Sequence, residues 1–131
     1  MADKIIRGFL IDVYGDRGCN ELVFHDTLEN IYKILDVETI DVAVRKIGNF
    51  TYDIICDDEG LLKDSLPGAV TDKDEVQLVG NLLLVNHDEE GNFTSLTDEQ
   101  IEDLGKHLVM AMMTYRGDTR VYGLLKGVEY V

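Results

Sequence analysis

The 131-residue chain has no tryptophan, one proline and two cysteines, and its 12 basic residues face 26 acidic ones. The shortage of bases excludes ordinary nucleic-acid binding, which needs a basic footprint to displace counterions. It equally excludes docking on an anionic membrane surface. The cysteines, Cys19 and Cys56, are too few and too far apart for a disulfide framework, and they read as reduced and unrelated. No apolar stretch reaches about 18 residues, the length that spans a bilayer. The start, Met1-Ala2-Asp3-Lys4, carries no signal-peptide pattern. The expectation is a soluble cytoplasmic protein.

What is present is a globular composition, 45% hydrophobic and 29% charged. The length suits one domain over residues 1–131. Ile5 to Val13 reads as a buried strand, Tyr14 to Asn20 as a turn, and Glu21 to His25 as its hairpin partner. Asp26 and Glu29 form a capping-box pair, and Leu28, Ile31, Tyr32 and Leu35 give a helix that stops near Asp36. Thr39 to Ile47 alternates, with Ile40, Val42 and Val44 on the apolar face. Gly48-Asn49 turns the chain into a partner strand, Phe50 to Cys56. Asp57-Asp58-Glu59-Gly60 is an acidic turn in which Gly60 supplies a positive φ. Pro67 and Gly68 suit the central positions of a type II turn.

Thr71 to Glu75 is a polar loop. Val76 to Val85 reads as one strand at the sheet centre, with Gly80 marking a bulge or a close backbone approach. Asn86 to Asn92 is a second acidic turn. Thr97 and Gln100 form a capping box, with Leu96 placed to staple onto Ile101. The spacing predicts a helix from Asp98 to about Tyr115, its stripe being Ile101, Leu104, Leu108, Ala111, Met112 and Tyr115. Gly105 inside it would permit close packing on the sheet. Arg116-Gly117-Asp118 ends that helix, and Val121 to Val131 forms a last strand interrupted by glycine. Strands in hairpins interrupted by two helices define an α+β fold: an antiparallel or mixed sheet of about five to six strands, both helices on one face.

The acid is concentrated. Residues 47–104 hold 15 acids and 2 bases, whereas residues 105–131 hold 2 acids and 4 bases. Asp57, Asp58, Glu59, Asp72, Asp74, Glu75, Asp88, Glu89 and Glu90 are the candidate partner-binding residues. The plain account is a solvated face, with turn acids bonding their own backbone and helix-start acids favoured by the dipole. The sharper account is a surface that imitates nucleic-acid phosphates and occupies a basic groove. A divalent-metal site is a third account, but neither acidic turn has the alternating spacing of a calcium loop.

Catalytic signals are thin. His25, His87 and His107 fall in no zinc spacing, and neither a nucleophile elbow nor a phosphate-binding loop occurs. No catalytic residue, metal ligand or cofactor is assigned. Met110, Met112 and Met113 suit either core filling or an adaptable interface. The apolar C-terminal run from Tyr122 either completes the sheet or pairs with another subunit. Arg116, Arg120 and Lys126, with Tyr115, Tyr122 and Tyr130, make a small basic patch. It suits an anionic nucleotide held between subunits of a homodimer or higher oligomer.

The succession Asp57-Asp58-Glu59-Gly60, Leu66-Pro67-Gly68, Val79-Gly80 and then Asp88 to Gln100 resembles a family of small uncharacterised domains from bacteria, phages and conjugative elements. The likeness covers residues 5–104 and is most specific over Asp88–Gln100. It departs at Leu66-Pro67-Gly68, where a second proline and a basic residue are expected. The family offers no established catalytic residues. The resemblance implies a mobile-element setting, in which small acidic proteins block host defence. The leading expectation is therefore a non-enzymatic inhibitor that uses its acidic surface against a host defence protein with a basic groove. The rivals are an oligomeric sponge for an anionic nucleotide signal and a small acidic protein with a housekeeping interaction role.

Overall fold

Cross-strand pairing dominates this chain, and the computed structural model describes it over residues 4–60 and 65–131. Met1–Asp3 and residues 61–64 lie outside the described residues. The elements in order are β1 (Ile5–Ile11), β2 (Cys19–His25), α1 (Leu28–Leu35), β3 (Ile40–Ile47), β4 (Phe50–Asp57), β5 (Pro67–Val70) and β6 (Val76–Val79). They continue with β7 (Leu82–His87), β8 (Phe93–Thr94), α2 (Asp98–Lys106), β9 (Leu108–Tyr115), β10 (Asp118–Lys126) and β11 (Val128–Tyr130). One sheet has the order β11-β3-β4-β7-β1-β2, with β8 also paired to β7; the second has the order β6-β5-β10-β9. Pairing is antiparallel except between β5 and β10, which run parallel.

The α+β class and its two helices stand, but there are two sheets where one was expected, and more strands. Val76 to Val85 is not a single strand. Gly80 has φ 79° and Asn81 follows, so β6 ends in the small sheet and β7 begins at the centre of the large one. Asn81 is buried and fixes this crossing: its Oδ1 accepts from the Val13 amide at 2.8 Å, and its Nδ2 donates to the Leu35 carbonyl at 3.3 Å. The chain passes from the small sheet to the large one again at Gly127, φ 86°, between β10 and β11. A left-handed backbone at both crossings suits residues without a Cβ.

The second helix is shorter than its periodicity predicts. Its capping box forms as read, with Thr97 accepting from the Gln100 amide and Gln100 from the Thr97 amide. It stops at Lys106, and Leu108–Tyr115 pairs with β10 through eight residues. Leu, Met and Ala are helix formers, but here tertiary pairing overrides that weak preference. Arg116-Gly117 therefore joins two strands. Its residues have φ 51° and 84°, both positive as a two-residue type I′ hairpin requires. Gly105 makes no close approach, since nothing lies within 4 Å of where its Cβ would be.

Smaller differences have local causes. Thr27, not Asp26, caps α1, because Asp26 still donates its amide to the Lys4 carbonyl while Thr27 is extended and accepts from Asn30. Pro67 and Gly68 open strand β5 instead of a turn; the first position of a strand tolerates a missing N–H. Gly60 does not have positive φ; it is small because Val79 Cγ2 stands 2.9 Å from its Cβ position. Val42 and Val44 are each 39% exposed, on the α1 side of the sheet. The eight residues of α1 make only about 12 Å of helix, too short to cover them.

Alternation along β1 separates two cores. Ile6 and Leu10 pack with Ile31 and Leu35 of α1. Phe9 and Ile11 point the other way and join Leu104 of α2 with Ala69, Val70, Leu124 and Leu125 of the small sheet. The helices thus contribute to opposite faces of the large sheet, not to one face as expected.

Candidate functional site

The register of β4 and β7 sorts the acidic segments into two groups. Asp53 lies opposite Val85 and Ile55 opposite Leu83, which places Asp57 level with Asn81. Asp57–Glu59 therefore sits at the Gly80 end of the sheets. Asp88 lies seven strand residues further on, about 23 Å away. The nine candidates do not form one patch.

The opposite end, around the Gly48 turn, gathers the rest. Gly127 packs beside both His107 and Asp72, and Gly48 beside Asp103 and His107. The 71–75 loop, the 88–91 turn and α2 thus share this end. Asp72, Asp74, Glu75, Glu89, Glu90, Glu99 and Glu102 are exposed there, and Asp88 is half-buried. Some of this charge is paired: Lys126 holds Asp74 at 3.0 Å, and Arg7 reaches Asp98. Asp88 serves its own turn. Its Oδ1 accepts from the Asn92 amide at 2.9 Å and the Glu90 amide at 3.0 Å. The Asn92 amide leads the interactions that hold its carboxyl below the ordinary value. Asp57 likewise accepts from the Glu59 amide at 2.9 Å. Glu89 and Glu90 are exposed carboxylates on a turn whose shape Asp88 sets.

Arg116 and Arg120 lie at the Gly80 end. A cleft of about 260 Å³ is lined by Tyr14, Asp36, Asp57, Ser65, Asn81 and Arg116, among others. Arg120 directs its guanidinium to the Tyr14 carbonyl at 2.6 Å, so it serves the fold there. Tyr122 is buried in the core. Tyr115 ends β9, and its side chain is outside the description. Lys126 pairs with Asp74 at the other end, and Tyr130 stacks under Arg45, 4.5 Å from the guanidinium carbon. The basic patch read from the sequence is thus dispersed, and Asp36 and Asp57 share the cleft with Arg116.

Two polar pairs escaped the sequence reading. Asp53, on β4, is buried and meets His87 Nδ1 at 2.8 Å. Gln100 and Asn86 exchange two amide hydrogen bonds, at 2.7 and 2.9 Å. Each joins residues far apart in sequence, so no local pattern marks them. Both cysteine thiols are free, and burial pushes that of Cys56 up to about 11. Among the described residues, no three His, Cys, Asp or Glu converge as metal ligands would, and no helix is long and apolar enough to cross a membrane.

The chain belongs to the DUF3846 family, described as a domain of unknown function, whose model matches residues 10–109. The match runs from β1 into the start of β9, and so includes every candidate acid and neither Arg116 nor Arg120. No curated protein and no solved structure matches the chain.

Proposed function

We propose that the protein is a non-enzymatic binding protein that presents the acidic Gly48 end to a basic surface, standing in for nucleic-acid phosphates. The observation that carries this reading is the convergence of exposed carboxylates from three separate elements, the 71–75 loop, the 88–91 turn and α2, at one end of the fold. Such an end steers a cationic partner from a distance and sets its orientation. The family resemblance supplies the setting: a phage or conjugative element, with a host defence protein as the partner. Asp57–Glu59, at the far end, is outside this face.

The test is affinity capture of a basic partner from the cytosol of a bacterial host, followed by charge reversal. Lysines at Asp74, Glu75, Glu89 and Glu90 should abolish capture and any inhibition, whereas lysines at Asp58 and Glu59 should leave both. Capture unchanged by the first set overturns the reading. The nucleotide reading has less support, because Arg120 is engaged and carboxylates line the Arg116 cleft. A thermal shift with nucleotides that is lost in Arg116→Ala would restore it.

A further inference from the structure

A groove of about 440 Å³ runs between β6 of the small sheet and the β3–β4 pair of the large one, a size that suits a small molecule. Cys56 lines it from β4, and Asp41 stands directly opposite on β3. Packed sheets lie about 10 Å apart, and a side chain as short as cysteine leaves part of that gap open. The small-sheet wall is apolar, formed by Val76, Leu78 and Val79. The large-sheet wall carries three carboxylates, Asp41, Asp57 and Asp58, and no lysine or arginine lines the groove among the described residues.

Those charges are not cancelled nearby. Arg45 is committed to the groove's frame: its Nε donates to Gln77 Oε1 at 3.0 Å, and its guanidinium carbon lies 4.5 Å from the centre of the Tyr130 ring. Asp57 accepts from the Glu59 amide at 2.9 Å and serves its turn. Asp41 accepts from the adjacent Val42 amide at 2.8 Å, and no cation pairs with Asp41 or Asp58 among the described residues. The buried Cys56 thiol reports the resulting field. Burial first, then Asp41, Asp57 and Asp58, push it up to about 11, and Arg45 offsets them only in part.

We propose that this groove binds a small organic cation, a protonated amine carried on an apolar stem. An anion, a nucleotide included, would meet three carboxylates. A bare metal ion would find no three converging ligands among the described residues and would leave the apolar wall unused. A neutral apolar molecule would strip water from the carboxylates and return no partner. An amine on an apolar stem answers both walls. The stem buries Val76, Leu78 and Val79, and the ammonium donates charge-assisted hydrogen bonds to Asp41 and Asp58. The Asp57-Asp58-Glu59 turn, which lies outside the acidic Gly48 end, thereby gains a role of its own.

Calorimetric titration of the full chain with phenethylamine tests the proposal. Phenethyl alcohol serves as the uncharged isostere, and methylammonium as the charge without the stem. Phenethylamine should bind at millimolar concentration and neither comparator should. Asp41→Asn with Asp58→Asn should weaken binding about tenfold. Asp26→Asn with Glu29→Gln removes the same charge at the start of α1 and should leave binding unchanged. Should the groove variant misfold, labelling of Cys56 on the unaltered protein, mapped by peptide mass, decides. A cationic methanethiosulfonate should react about tenfold faster than its sulfonate analogue, and phenethylamine should slow the reaction. No binding, binding matched by either comparator, binding indifferent to Asp41→Asn with Asp58→Asn, or equal Cys56 labelling by the two reagents overturns the proposal.

Discussion

The carbonyl oxygen of Gly80 lies 2.6 Å from the position a Cβ on Gly68 would occupy. The backbone that leaves the small sheet therefore runs directly over the strand that opens it. Gly68→Ala must move either Gly80 or Leu82, whose Cδ1 is 3.0 Å away, and should cost about 1–3 kcal/mol as an overpacked site. Gly80→Ala has free space but a left-handed φ, and should cost about 1–2 kcal/mol. Urea midpoints of the two variants check both, and equal stability to the unaltered protein would contradict the crossing geometry.

Gln100 closes the α2 cap and also docks the helix on β7. Thr97→Ala removes only the cap and should cost about 1 kcal/mol. Gln100→Ala leaves the Asn86 amide without its reciprocal partner, and should cost more, about 1–3 kcal/mol. Chemical denaturation separates the two, and the prediction fails if Thr97→Ala proves the more damaging.

Asp53 and His87 project from neighbouring strands, two positions apart across the β4–β7 pairing. Asp53 is buried while the His87 side chain is 52% exposed, so water shares the histidine's role. His87→Ala should cost about 1–2 kcal/mol, toward the lower part of the range for a buried acceptor that loses its partner. A double-mutant cycle with Asp53→Ala should recover a coupling of at least 0.5 kcal/mol by order of magnitude, the size expected for residues in contact.

The β1–β2 and β3–β4 hairpins were legible in the sequence. Gly48-Asn49 turned β3 into β4 as read, and Thr97 with Gln100 marked the start of α2, because turn and cap chemistry act within four residues. What was not legible is set by distant pairing. Leu108–Tyr115 has helical periodicity, yet its neighbour is β10. Val76–Val85 is mostly apolar and reads as one strand, yet Asn81 ties its middle to Val13 and Leu35. The acidic residues are legible one by one, but not their placement relative to one another. Only the β4–β7 register shows that Asp57 and Asp88 stand at opposite ends.

Asp12 supplies the pH dependence. Its side chain is 1% exposed, and burial alone would raise its pKa; the Arg17 hydrogen bond at 3.0 Å and the Gly15 amide at 2.9 Å outweigh that, leaving the carboxyl below its ordinary value of 3.8. Unfolding releases Asp12 to the ordinary value, so in acid the unfolded chain binds the proton more tightly. The stabilisation is present above pH 3.8 and is lost as pH falls from there through the lower folded value. Asp12→Asn should remove that part of the acid slope and also lower stability at neutral pH, where Arg17 loses a charged partner. Denaturation curves between pH 7 and about pH 2.5 measure both effects. An unchanged acid slope in the variant would mean that other carboxylates, Asp88 first among them, carry the acid sensitivity.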